Sequence, residues 1–142
     1  MRVGRRRSTR PRRGRSGTWR ALAVGDSCLF RTRAGRLLKA FPLTAAAHFG
    51  NQPSLLGSRR TGPEPTPKQA RGRWRPGDRF LVMTDALAQW FLYRIEQSGE
   101  PLAEIAQLLA EPGSRLAFPD WIEERRQQGL RNDDVTLGIL DF

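Results

Sequence analysis

An α+β fold is what this sequence predicts, and three observations predict it. Short apolar runs separated by turn signals fill the first half, helical spacing of apolar residues takes over at residue 85, and one alternating run closes the chain. Strands linked by short turns, with helices after them, fit an α+β chain whose neighbouring strands run antiparallel. At 142 residues the chain can bury one core and is too short for two ordinary domains.

The first strand is expected over Trp19–Val24. Gly25-Asp26 supplies a turn, and Cys28–Arg33 reads as the return partner of that strand. A second turn at Ala34-Gly35 leads into Arg36–Phe41, so the pattern predicts a three-stranded meander. Residues 42–78 are then broken by Pro42, Pro53, Pro63, Pro65, Pro67 and Pro76, and residues 58–72 read as a long, exposed, basic loop. His48, without a nearby His, Cys or carboxylate, reads as structural or exposed.

Pro76-Gly77-Asp78 marks a turn that launches the apolar run Phe80–Met83, and this strand delivers Asp85 to its tip. From there Leu87, Trp90, Phe91 and Ile95 recur at helical spacing, predicting a helix from Asp85 to about Gln97 that ends at Ser98-Gly99. Pro101–Ala110 forms a second helix, with proline suited to its first turn. A third runs over Asp120–Gln128, and Asp134–Leu140 is a strand with Val135, Leu137 and Ile139 on one face.

Charge is unevenly distributed. Residues 1–20 hold nine arginines and no acid, and taking those nine from the formal +11 leaves +2 for everything else. Residues 1–17 are therefore expected to be a disordered Arg-rich tail, with the folded domain over 18–142. Such a tail could hold phosphates of nucleic acid without sequence preference, or be a solvated extension; it lacks the interleaved aromatics of a stacking platform. Only two of the 25 basic residues are lysine, a bias that a GC-rich coding sequence also produces. A lone cysteine, Cys28, excludes an internal disulfide and a cysteine-built metal site. With no apolar run near the ~20 residues a bilayer requires, the chain is expected to be soluble and cytoplasmic.

Three aspartates share a placement: Asp26 in a strand-to-strand turn, Asp85 at a strand's C-terminal tip, and Asp133 just before a strand. If the strands of Asp85 and Asp133 pair antiparallel, both carboxylates fall at one end of the sheet. Carboxylates converging there suit a hard cation such as Mg²⁺ or Mn²⁺. The competing role for Asp85 is local, complementing the positive end of its helix.

In these contexts the sequence resembles the metal-dependent protein serine/threonine phosphatases (PPM, or type 2C), of a bacterial kind. The motifs are Gly25-Asp26-Ser27, then Thr84-Asp85-Ala86-Leu87 after the strand, then Asp133-Asp134-Val135-Thr136, in the family's order. The resemblance covers residues 19–142 and corresponds to the C-terminal half of a family domain. It implies part of an αββα sandwich, antiparallel β-sheet layers with helices packed on one face, and a binuclear Mg²⁺ or Mn²⁺ centre that hydrolyses phosphoserine or phosphothreonine. Carried over by motif, Asp85 and Asp133 would be ligands of the metal pair, and Asp26 would belong to a third-metal site. This sequence departs from the family at Ala86 (usually Gly), Gln89 (often Asp), Cys28 (commonly Arg) and Asp134 (usually Asn).

The family's bridging carboxylate has no counterpart before Gly25, where no Asp or Glu occurs. The resemblance therefore implies a chain inactive by itself, with an apolar sheet face left for a partner or for self-association. A regulatory module without catalysis, binding a partner through that sheet and through helices 86–97 and 101–110, is the alternative. Nucleic-acid binding through the tail is the further one.

Overall fold

The computed structural model describes residues 15–50 and 66–142. Within them lie six strands: β1 (Gly17–Ala23), β2 (Cys28–Arg33), β3 (Arg36–Phe41), β4 (Lys68–Trp74), β5 (Asp78–Met83) and β6 (Leu137–Asp141). Three helices, α1 (Asp85–Glu96), α2 (Pro101–Ala110) and α3 (Ser114–Gln127), stand between β5 and β6. The fold is α+β with antiparallel sheets, as the order of strands and helices predicts. Among the described residues no helix is long and apolar enough to cross a membrane.

Four strands form the main sheet in the order β3-β2-β5-β6, all antiparallel. Alternation along β2 and β5 gives this sheet two faces. Cys28 and Phe30, with Leu81 and Met83, face the helices and join one core with Leu87, Phe91, Ile105, Leu108 and Ile122. Phe30 meets Phe91 at a centroid distance of 4.6 Å. A helix of 12 residues such as α1 is marginal alone in water, so it is this burial that holds it. Glu104 of α2 clamps the helix layer, taking Arg94 of α1 at 2.8 Å and Arg125 of α3 at 2.9 Å.

The other face meets a two-stranded ribbon, β1 paired with β4. Trp19 packs edge-on against Phe80 at 5.4 Å, and Trp74 lies on Phe142 at 4.6 Å. In register, each tryptophan faces a glycine, Trp19 opposite Gly72 and Trp74 opposite Gly17. A Cβ on Gly72 would lie 2.9 Å from the Trp19 Nε1, and one on Gly17 would lie 2.6 Å from the Trp74 Nε1. Glycine is required there because the indoles lie flat on the opposite strand. The layers are thus helices, main sheet and ribbon.

Four expectations need correction. The meander is a hairpin of β2 and β3 alone: β1 pairs with β4, and residues 24–27 carry the chain from one sheet to the other. A turn at Gly25-Asp26 serves a crossover as well as a hairpin, so local signals could not separate the two. The basic loop ends sooner, because residues 68–72 belong to β4; residues 58–65 lie outside the described ones. Pairing with β1 and its Trp–Gly fit overrides two interior strand residues, Arg71 and Gly72, that read as loop. The third helix begins at Ser114 and runs through Pro119, held by Phe118 stacking on Trp121 at 6.2 Å. The last strand begins at Leu137, with residues 134–136 tied to Thr84 instead. Of the expected tail, residues 1–14 lie outside the described ones, and Gly17 already belongs to β1.

One buried charge fixes the end of the sheet away from the three motifs. Asp78 is 1% exposed and accepts from Arg33 at 2.6 Å, from Arg31 at 3.0 Å, and from the backbone N–H of Arg75 at 2.9 Å. Burial pushes its carboxyl up, but Arg33, the Arg75 amide and Arg31 outweigh burial and bring it down to about 2. A carboxyl depressed in the folded state stabilises above its unfolded pKa, near 3.9, and loses that contribution as pH falls towards 2. Urea midpoints are therefore expected to drop between about pH 5 and pH 2. Asp78→Asn should flatten that drop and cost about 2–4 kcal/mol at neutral pH, because two arginines lose their buried partner. Separately, Gly72→Ala should displace the Trp19 ring and destabilise by about 1–3 kcal/mol, seen as lost near-ultraviolet circular dichroism and a lower urea midpoint.

Candidate functional site

The three motifs meet at one end of the main sheet because of strand register. Cys28 at the start of β2 pairs with Met83 at the end of β5, and Met83 pairs with Leu137 at the start of β6. Asp26 lies two residues before Cys28, Asp85 two residues after Met83, and Asp133 and Asp134 just before β6. The antiparallel pairing of the Asp85 and Asp133 strands, posed as a condition by the sequence, is present.

Thr84 brings the second and third motifs together. Its hydroxyl donates to the Asp134 carbonyl at 3.1 Å and accepts the Thr136 N–H at 2.9 Å, while its own N–H donates to the Thr136 carbonyl at 3.3 Å. Threonine at a helix N-cap normally turns its hydroxyl onto the first helical amides. Here Thr84 is the N-cap residue of α1 and makes no such bond, because its hydroxyl is used across the strands. On the other side, Arg126 of α3 donates to the Asp133 carbonyl at 3.1 Å.

The carboxylates of Asp85 and Asp133 share a cation that the sequence reading missed. Arg131 donates through Nη2 to Asp85 Oδ2, and the same nitrogen lies 3.9 Å from Asp133 Oδ2. Arg131 and Asp133 are two residues apart in a tight bend, where the Asp133 N–H donates to the Arg131 carbonyl at 3.0 Å. That spacing was the available signal. Asp133 also accepts the Asp134 N–H through Oδ1 at 2.8 Å. Asp85, at the first position of α1, is placed to favour the helix's positive end as well.

Asp26 stands nearby but apart. Among the described residues its carboxylate takes no hydrogen bond or salt bridge; its backbone carbonyl receives the Cys28 thiol at 3.4 Å. Burial pushes that thiol up to about 11, and the negative charges of Asp26 and Asp85 add to the rise. Cys28 is 1% exposed, and burial favours its neutral thiol, the form that does not act as a nucleophile. His48 is exposed, at the end of a short 3₁₀ turn, Ala46–His48.

Asp85 and Asp133 are oxygen donors of the kind Mg²⁺ and Mn²⁺ prefer, and two carboxylates by themselves are too few for a binuclear centre. Among the described residues no group of three or more His, Cys, Asp or Glu side chains is placed to hold a metal ion. The space between the two carboxylates belongs to a guanidinium, which neutralises them as a cation would. Comparisons with protein-family models, with curated proteins and with solved structures return no match to this chain.

Removing the guanidinium should leave the two carboxylates uncompensated at close range, which favours any available cation. Arg131→Gln is expected to bind Mn²⁺ several-fold more tightly than the unaltered chain, read as loss of free-ion signal in electron paramagnetic resonance titrations. Asp85→Asn in the Arg131→Gln background should abolish the gain.

Proposed function

We propose that this chain carries one half of a metal-dependent phosphoserine/phosphothreonine phosphatase site of the type 2C kind, and that by itself it does not turn over phosphate esters. The observation that carries the reading is the register β2-β5-β6, which gathers the Gly25-Asp26-Ser27, Thr84-Asp85-Ala86-Leu87 and Asp133-Asp134-Val135-Thr136 motifs at one end of a sheet. In this reading the main sheet and its helices are one α/β half of an αββα sandwich, and the β1–β4 ribbon belongs to the second sheet. Asp85 and Asp133 are the carboxylates meant for Mg²⁺ or Mn²⁺, with Asp26 at an additional ion. Two carboxylates leave each ion with most of its water, so further acidic ligands are needed before Arg131 gives way. The substrate class is phosphoprotein, the compartment the cytoplasm.

A phosphatase assay with p-nitrophenyl phosphate and Mn²⁺ tests the reading. The expected result is no turnover above buffer, together with weak Mn²⁺ binding that disappears in Asp85→Ala and Asp133→Ala. Robust turnover by this chain, abolished by Asp85→Ala, would overturn the claim of half a site. Binding of Mn²⁺ that ignores both substitutions would overturn the family reading itself.

A second reading, a partner-binding module without catalysis, draws on the outer face of the main sheet beyond the ribbon. Val82 is 40% and Leu140 54% exposed there, on the same face as the covered Phe80. A stable hetero-oligomer surviving purification would favour it; a folded monomer would count against it.

A further inference from the structure

The β1–β4 ribbon has two unlike faces. Trp19, Ala21, Ala70 and Trp74 turn towards the main sheet, whereas Thr18, Arg20, Gln69, Arg71 and Arg73 turn to solvent. Residues 15–24 and 66–77, the ribbon and its flanks, hold six basic residues and no acidic one.

Register concentrates this charge. Arg20 sits directly opposite Arg71, and Arg73 is the next outward residue along the same strand. Like charges directly opposite one another weaken a strand pair. Arg31, Arg33, Arg79, Arg94, Arg125, Arg126 and Arg131 form salt bridges, whereas Arg36, Arg75 and Arg115 do not. Arg75 and Arg115 lie outside the paired strands, and Arg36 stands opposite Arg33, whose charge Asp78 answers. Among the described residues Arg20, Arg71 and Arg73 form none. Arg20 and Arg71 also line an open groove of about 510 Å³ on the ribbon, with Ala21, Leu22, Gln69 and Ala70.

We propose that the solvent face of the β1–β4 ribbon binds the phosphate backbone of double-stranded nucleic acid without sequence preference. Guanidinium forks match phosphate oxygens two at a time, and a phosphate between Arg20 and Arg71 turns their repulsion into attraction. Outward residues along one strand recur about every 7 Å, so Arg71 and Arg73 can reach separate phosphates. A two-stranded ribbon is also narrow enough to follow a groove of the duplex. Single strands are a poorer match, because both tryptophans of the ribbon face inward and no outward aromatic is left for base stacking. Anionic lipid is poorer too: Leu22 is the ribbon's one large apolar side chain facing solvent, where membrane surfaces need an apolar face.

Residues 1–14 carry seven further arginines, so the test varies the ribbon alone. Binding of the full chain to a fluorescent duplex of arbitrary sequence, followed by anisotropy over a NaCl series, is compared with the Arg20→Gln/Arg71→Gln/Arg73→Gln variant. Each phosphate contact contributes about 0.9 to the slope of log affinity against log salt. The triple variant should therefore bind at least about tenfold more weakly, with a slope smaller by roughly 2–3. The triple arginine-to-lysine variant, which keeps the charge, should retain the slope. Should the glutamine triple fail to fold by circular dichroism, Arg73→Gln alone, opposite Thr18, should lower the slope by about 1. Unchanged affinity and slope in the glutamine variants would overturn the proposal. So would tighter binding to single strands, or binding to anionic vesicles in place of the duplex.

Discussion

Arg33 and Asp78 face each other across the central strand pair, and the position of everything else follows from that pairing. A buried carboxylate is tolerable only where cations and amides converge on it, and Asp78 finds Arg33, Arg31 and the Arg75 amide in one register alone. Slipping β5 by one residue would set Asp78 opposite a residue on the wrong face and turn Phe80 into the helix layer. The same register places Cys28 against Met83 at the opposite end, and with them Asp26 and Asp85. The acid that looks like part of a turn is thus the anchor, and the acids that look functional are carried to their end by it.

Much of the helical part was legible because its signals are local. Pro101–Ala110 lies where the sequence puts it, and α1 starts at Asp85 as expected. Strand partnership was not legible in the same way. Whether Trp19–Val24 turns back on Cys28 or crosses to a distant strand depends on which surface the tryptophan covers, and Gly72, 53 residues further on, is what fits Trp19. Nothing within a short window of either residue reports the other. The start of α3 escaped notice for the opposite reason: Pro119 is a strong local stop signal, but Ala117 and Phe118 pack against the core around it.

The candidate site divides along similar lines. The three aspartates could be read directly, because each stands beside a strand boundary that turn chemistry reveals. What holds them could not. Thr84 looks like a helix cap and acts as a cross-strand clamp, a difference that depends on residues 134–136 being folded back against it. Arg131 could be suspected only from its spacing to Asp133, since its contact with Asp85 spans 46 residues of sequence.

Charge then gives the molecule its asymmetry. At one end of the sheet Asp78 is closed by Arg31 and Arg33, and at the other Asp85 and Asp133 are closed by Arg131. Both concentrations of acid are answered from within the chain, so neither draws a ligand strongly while its arginines stay in place. The ribbon is the reverse case. Arg20 and Arg71 oppose each other with no carboxylate between them among the described residues, and the Trp–Gly pairs beneath hold the strands in that register regardless of the repulsion above. A surface whose own fold holds like charges together, and leaves them unanswered, gains most from an external anion. In this structure that surface is the back of the β1–β4 ribbon and not the acidic end of the main sheet.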